Sequence, residues 1–265
     1  MRAAYKCRAY PDPGQVSVLN RTFGCVRVVW NRTLAWRHAR YRGEQARTTF
    51  TQANAYLTAM KASEDLGWLN EVSSVPLQQA IRHQQAAFGN FFAGRARYPR
   101  YKSRTGRQSA EYTRSGFRYR GGRLVLAKMS TPLAFVWSWP GIDPAALDPA
   151  TVTVSRDPCG RWYVSFAVEV ADPEPAPATG AIVGVDLGVK DFAVTSDGEH
   201  IANPRHLARR ARNLARYQRR MARCQPGSAN RAKARTKAAR AHRKVRAART
   251  DFLTRPAPAW SGTTT

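Results

Sequence analysis

The stretch Ile182 to Gly198, IVGVDLGVKDFAVTSDG, sets a single carboxylate, Asp186, in an apolar strand with Gly184 and Gly188 two residues to either side. An ionised acid is costly among apolar side chains unless something compensates it. A divalent cation would do so, because hard metal ions take oxygen ligands and a strand holds the oxygen still. A strand-end or bulge acid hydrogen bonded to backbone explains the same residue without a metal, and the pattern VGVDLGV leaves both readings open. Asp191, Asp197 and Glu199 fit turn and edge positions. Cys7, Cys25, Cys159 and Cys224 lie far apart with no C-x-x-C pair, which argues for free thiols and against a disulfide framework or a zinc ribbon.

A second chemistry is written in the charge. Lysine and arginine total 44 against 17 acids, a formal charge of +27 over 265 residues. Between Arg205 and Arg249 there are 17 such bases and no acid. A block of one sign either stays disordered or lies against a polyanion. Arginine can fork onto phosphate or stack on a base, so nucleic acid is favoured over an acidic membrane. No apolar run approaches the roughly 20 residues of a membrane span, and MRAAYKCRAY lacks the core of a signal peptide. A cytoplasmic, nucleoid-associated protein is expected.

Positioning these groups requires elements, and the apolar periods supply them. AAYKCRAY reads as a strand ended by YPDPGQ. Val16, Leu19, Phe23, Val26, Trp30 and Leu34 then paint one helix face, and Phe50, Ala53, Leu57 and Met60 another. SSVPLQQAIRHQQAAFGNFF offers Ser74 as a cap, Pro76 near the first turn and a stripe of Leu77, Ile81, Phe88 and Phe92. Three helices would form a small bundle over about residues 15–95. Past Arg97 the period becomes alternating: EYTRSGFRYRGGRLVLAK, PLAFVWSW, TVTVSR and RWYVSFAVEV predict an antiparallel sheet or barrel, with a turn at Asp157 to Gly160. The N-terminal strand has no other partner and should join this sheet, making the helices an insertion. ADPEPAPATG, residues 171–180, reads as a linker. Beyond it come a hairpin at Asp197-Gly198, a strand in EHIANP, a helix to about Arg223 with Leu207, Ala211, Leu214, Tyr217 and Met221 on one face, a turn at Gln225 to Ser228, and a helix to Phe252.

FGCVRVVWN, WLNEVSSVPLQQAIRHQQAAFGNFFAGRARYPRYKS, TVTVSRDPCGRWYVSFAVEV, VGVDLGVKDFAVTSDGEHIANPRHL and RTDFL occur in the order found in the OrfB-type, or TnpB, proteins of insertion sequences, and the chain resembles that family over about residues 3–253. The family is related to type V CRISPR effectors. The resemblance implies an α+β protein: a wedge-type antiparallel β-barrel (1–14 and 96–175) with a helix-turn-helix-like recognition insertion (15–95), a linker (176–180) and a partial RuvC-like domain of RNase H fold (181–253). It implies a guide RNA from the transposon end, target DNA beside a short motif, and magnesium. Asp186 matches the first catalytic aspartate, on which two Mg²⁺ about 4 Å apart would clamp the scissile phosphate, with Gly184 and Gly188 leaving room for the nucleic-acid backbone. Phe50, Gln78, Gln79 and Arg82 match the part that reads the DNA motif, since Gln can read adenine edges and Arg guanine or phosphate. Charge and resemblance together predict guide-RNA contacts at Arg97, Arg100, Lys102, Arg104, Arg209, Arg210, Arg219 and Arg220, and nucleic-acid contacts at Lys190 and Arg205.

The family places a glutamate on a strand after RTDFL, then a zinc ribbon and a third aspartate. Here RTDFL runs into TRPAPAWSGTTT, with no acid and no cysteine, and residues 254–265 read as an aberrant tail, frameshifted or broken. One carboxylate cannot hold two hydrated magnesium ions, and no zinc site is expected. Three readings follow: a TnpB-type protein that binds RNA and DNA without cutting, a nuclease that borrows acids from another chain, and a degenerate fragment with no selected role.

Overall fold

Residues 1–172 and 182–254 are described by the computed structural model of the protein. The chain opens with β1 (Arg2–Ala9), whose alternate residues Cys7 and Ala9 point into the core. The prolines that end this strand also start a helix. Asp12 takes an extended conformation and accepts the Gln15 backbone N–H at 2.8 Å, the Gln15 side chain answers the Asp12 N–H at 3.2 Å, and Pro13 opens α1 (Pro13–Glu44). Gln15 also donates to the Thr131 and Pro132 carbonyls, fastening the helix start to the sheet. A second capping box, Thr49 with Gln52, starts α2 (Phe50–Ala62). A 3₁₀ segment, Glu64–Glu71, follows and buries Leu69. The cap of α3 (Ser74–Phe92) is Ser73, one residue before the residue read as the cap.

The strands after the helices are β2 (Gln108–Thr113), β3 (Phe117–Arg120), β4 (Arg123–Leu126), β5 (Phe135–Val136), β6 (Thr151–Arg156) and β7 (Trp162–Glu169). Four of them join β1 in an antiparallel sheet of order β2-β6-β7-β1-β5, and β3 and β4 make a separate hairpin. The first strand thus joins the later ones: β1 is paired with β7 from Arg2 opposite Glu169 to Ala9 opposite Trp162. The expected turn joins β6 to β7. Asp157 accepts the Cys159 and Arg161 N–H groups on its carboxylate, and Gly160 takes φ +83°, a left-handed conformation that a Cβ disfavours. Closure into a barrel is not found among the described residues. At one edge β5 is two residues long, and at the other β2 is packed by α1 and α3, so neither edge is hydrogen bonded to the other.

Helices and sheet share a single core. Leu19, Phe23, Val26 and Val29 of α1, Leu57 of α2 and Leu77 and Ile81 of α3 are continuous with Tyr112, Val152, Val164 and Phe166 of the sheet. Phe23 stacks on Trp162 with centroids 5.6 Å apart. The helices are therefore not an independently packed bundle, and Met1–Asp172 forms one unit.

The second unit contains β8 (Val185–Asp186), β9 (Asp191–Thr195), β10 (His200–Ala202), α4 (His206–Arg223) and α5 (Ala229–Thr254). Its strands are antiparallel in the order β10-β9-β8, with Gly198 in the turn between β9 and β10 at φ +80°. The two helices pair through a thin seam of Leu214, Ala234, Ala238 and Val245. Phe192 of β9 meets Phe252 of α5 edge-on at 5.1 Å, which ties the RTDFL segment to the sheet. The linker 176–180 and the tail beyond Thr254 lie outside the described residues.

The caps and the core set a graded expectation for urea unfolding. Asp12→Ala should lower stability by about 1 kcal/mol, the usual cost of an N-cap, while Leu19→Ala should cost roughly 2–5 kcal/mol for a buried leucine. Equal midpoints for wild type and both variants would contradict it.

Candidate nucleic-acid interface

Asp186 ends the two-residue strand β8, opposite Val194 of β9, and is exposed. Ser196 fixes Gly184, two residues before Asp186, from both sides, its N–H donating to the Gly184 carbonyl at 2.8 Å and its hydroxyl accepting the Gly184 N–H at 3.1 Å. The two glycines differ in what they do. A Cβ at Gly188 would come within 3.1 Å of the Asp191 carbonyl oxygen, so the chain's own turn into β9 leaves little room for a side chain there. At Gly184 a Cβ would make only ordinary contact with Ser196.

The acids near Asp186 in sequence have other engagements. The Asp191 carboxylate lies 3.3 Å from His200 Nδ1, and Asp197 accepts the Ser196 hydroxyl at 3.4 Å. Among the described residues no three His, Cys, Asp or Glu side chains gather in a way that could hold a metal ion. The side chains around Asp186 do not by themselves fit a magnesium pair. Apolar residues on either side of it face solvent, with Ile182 95%, Leu187 71% and Val189 87% exposed, and β8 is an edge strand. Surface of this kind is characteristically covered by something else.

The basic residues sit on the outside of the α4–α5 hairpin. Arg209, Arg210, Arg219 and Arg220 are exposed on α4, as are Lys190 before β9 and Arg205 at the helix start. Arg205 is held at φ +47° with its N–H donating to Asn203 Oδ1, so the chain turns sharply before entering the helix. Of the expected apolar face, Leu214 is buried, Tyr217 and Met221 are half-buried, and Leu207 and Ala211 are exposed. Arg231 is used internally: its guanidinium donates to the Met221 and Cys224 carbonyls and closes the end of α4. With no acid between Arg205 and Arg249, the outer face presents one sign of charge, the footprint of a phosphate backbone.

In the first unit the motif-reading candidates separate. Gln78 and Arg82 are exposed one turn apart on α3, and the Arg82 guanidinium lies 5.8 Å from the Phe50 ring, so these three share a surface. Gln79 does not belong to it. It is 7% exposed, on the buried side of the same helix, because a step of one residue along a helix turns the side chain by about 100°. Arg97, Arg100 and Arg104 are exposed in the segment after α3. Lys102 serves a structural purpose instead: its ammonium lies 4.1 Å from the Trp30 ring centroid, its backbone exchanges two hydrogen bonds with the Asn31 side chain, and burial lowers its pKa.

One basic feature escapes the sequence reading. On β1, Lys6 and Arg8 both lie over the Tyr163 ring, at 4.5 and 5.2 Å. The signal was the two-residue alternation that sets Lys6 and Arg8 on the face opposite Cys7 and Ala9, but the register with β7 is needed to bring Tyr163 beside them.

A family model described as "Probable transposase" (OrfB_IS605) matches residues 165–257, and one described as "Helix-turn-helix domain" matches residues 1–45, which hold β1 and α1. A Streptomyces pristinaespiralis protein named "Putative RNA-guided DNA endonuclease" is 52% identical over 254 residues, 96% of this chain and 62% of that protein. The Escherichia coli (strain K12) protein named "Putative RNA-guided DNA endonuclease InsQ" is 28% identical over 211 residues, 74% of this chain and 47% of that protein. The chain thus spans less than two thirds of the length of either relative. Among solved structures, the Cas12f1 chain of a Cas12f1-sgRNA-target DNA complex matches with a TM-score of 0.53 at 13% identity, covering 91% of this chain and 61% of that one. At that identity the likeness is one of fold.

The split between the two glutamines is open to a direct comparison. Gln79→Ala should lower stability by about 1 kcal/mol, while Gln78→Ala should stay within about 0.5 kcal/mol of wild type. Thermal melts that rank the two variants in the opposite order would place the exposed face of α3 elsewhere.

Proposed function

Because this chain belongs to the OrfB family of insertion-sequence proteins, the TnpB type, we propose that it binds a guide RNA from the transposon end and, through it, DNA beside a short motif. The single observation that carries this reading is the α4–α5 hairpin, whose outer face bears exposed arginines and lysines with no acid from Arg205 to Arg249. Such a surface is compensated by a run of phosphates. In this reading the open sheet and α1–α3 take the places of the wedge-type and recognition parts, with Phe50, Gln78 and Arg82 turned to the DNA motif. The second unit takes the place of the RuvC-like domain, and the protein works in the cytoplasm beside the nucleoid.

Asp186 would be the first carboxylate of the nuclease centre. Magnesium, when bound in such a centre, supplies charge to the phosphate being cut. The described residues offer one carboxylate at this place and no cluster around it, which supports the reading in which the chain binds without cleaving. The uncovered sides of β8 favour a second reading, in which further protein completes the sheet and the site.

Two measurements test these statements. Filter binding of guide RNA should weaken steeply with salt, and replacing Arg209, Arg210, Arg219 and Arg220 by alanine should flatten the log–log slope by roughly 0.7 for each phosphate no longer neutralised. Salt-independent binding would overturn the proposal. With guide RNA, magnesium and target DNA the chain should give no cut, and Asp186→Ala should leave RNA affinity unchanged. Guide-dependent cutting that Asp186→Ala abolishes would overturn the first reading.

A further inference from the structure

At the far end of α1 the structure holds a cavity that none of the expected nucleic-acid contacts uses. It has a volume of about 220 Å³ and is lined from α1, from the loop at 46–48, from the second half of α3 and from Tyr98. That is below the roughly 300–1,000 Å³ of pockets for drug-sized ligands, and suits one flat ring system.

Its inner wall is a buried cation. Arg37 is 5% exposed, both of its terminal nitrogens donate to the one Gln85 side-chain oxygen at 3.1 Å, and its guanidinium lies 5.1 Å from the Phe88 ring centroid. Its Nε is buried and has no partner among the described residues. Burial lowers its pKa. A buried donor without an acceptor is a standing cost, and a charged one more so. An occupant carrying an acceptor atom would remove that cost.

The outer wall is aromatic and basic. Phe92 is 58% exposed although its helical spacing from Phe88 places it on the apolar stripe, and Tyr98 is exposed beside it, packed edge-on against Phe88 at 5.6 Å. Arg47 sits 4.8 Å from the Phe92 ring centroid at the rim. Exposed rings beside arginines, in a chain with a formal charge of +27, form the usual platform for an unstacked base with its phosphate alongside. RNA supplies such bases in loops and bulges, whereas a DNA duplex keeps them stacked.

We propose that this cavity receives one unpaired base of a bound RNA strand, stacked against Phe92 and Tyr98, with an acceptor on its edge taking the free Nε–H of Arg37 and its neighbouring phosphate held by Arg47. The proposal rests on the RNA-binding reading above and adds to it a site that senses whether a base is unpaired.

The test uses the full chain and three probes: a short single-stranded RNA, the same RNA as a perfect duplex, and the same strand in DNA. Phe92→Ala, which removes an exposed ring, should weaken the single-stranded RNA about tenfold and leave the duplex unchanged. Arg37→Met should do the same while melting no lower than wild type, since it removes a poorly compensated charge. Equal losses on single strand and duplex, or no loss on either while both still bind, would overturn the pocket and leave the phosphate-binding reading standing. Failure of wild type to bind any probe would sink that reading and the pocket with it. Equal Phe92 dependence for single-stranded DNA would remove the assignment to RNA. Uridine monophosphate binding as tightly as the strand would make this a site for a free nucleotide.

Discussion

Strand β1 is hydrogen bonded to β7 along its whole length, and the architecture of the first unit depends on that pairing. The two strands stand at opposite ends of the unit, so three helices and five further strands must be accommodated in the loop they close. The pairing is extended by the N-terminal ammonium, which reaches the Val170 carbonyl at 2.8 Å and the Asp172 carboxylate at 2.7 Å. It also dictates where α1 begins. Three residues after Ala9, Asp12 caps a helix whose first turns press Leu19 and Phe23 onto the sheet just crossed. Contacts so distant in sequence make folding slow relative to a helical bundle of equal size.

The two units use arginine and lysine differently. In the first, many cations rest on aromatic faces: Lys102 on Trp30, Arg156 on Trp162, Arg82 on Phe50. There the charged group also covers apolar surface and helps to fix the packing. In the second, the helices carry bases in successive turns, Arg212, Arg216 and Arg220 on one and Lys233 and Lys237 on the other, and of these Arg216 lies over a ring, that of Tyr217. Like charges four residues apart destabilise a helix, so these bases do not stabilise the hairpin itself.

What the sequence made legible follows from what determines each feature. The helical stripes were plain because burial of Leu19, Phe23, Val26 and Leu34 repeats with the helix itself. The turn at Asp157 to Gly160 was plain because local hydrogen bonds suffice to form it. Phe92 continued the stripe of α3 yet is exposed, since the stripe does not say where the opposing surface ends. Gln78 and Gln79 are equivalent in a motif and lie on different faces of a helix, one exposed and one buried. Lys102 looked like one more phosphate contact until Trp30 was found beneath it. Arg37 gave no sign of its burial, because the residues that enclose it come from three separate segments. The expected barrel depended on strand edges meeting, a property of sheet curvature that alternation of residue types does not encode.

The seam of the α4–α5 hairpin is narrow: two alanines, one leucine and one valine are its buried side chains. Alanine lets the helices approach closely but removes little apolar area from water, while the outward arginines push each other apart. The hairpin's folding equilibrium is therefore coupled to whatever neutralises that face, and a bound polyanion raises the population of the ordered form by mass action. Amide exchange along α4 and α5 becomes a thermodynamic gauge of occupancy: fast in the free protein, slow once the counter-charge is in place.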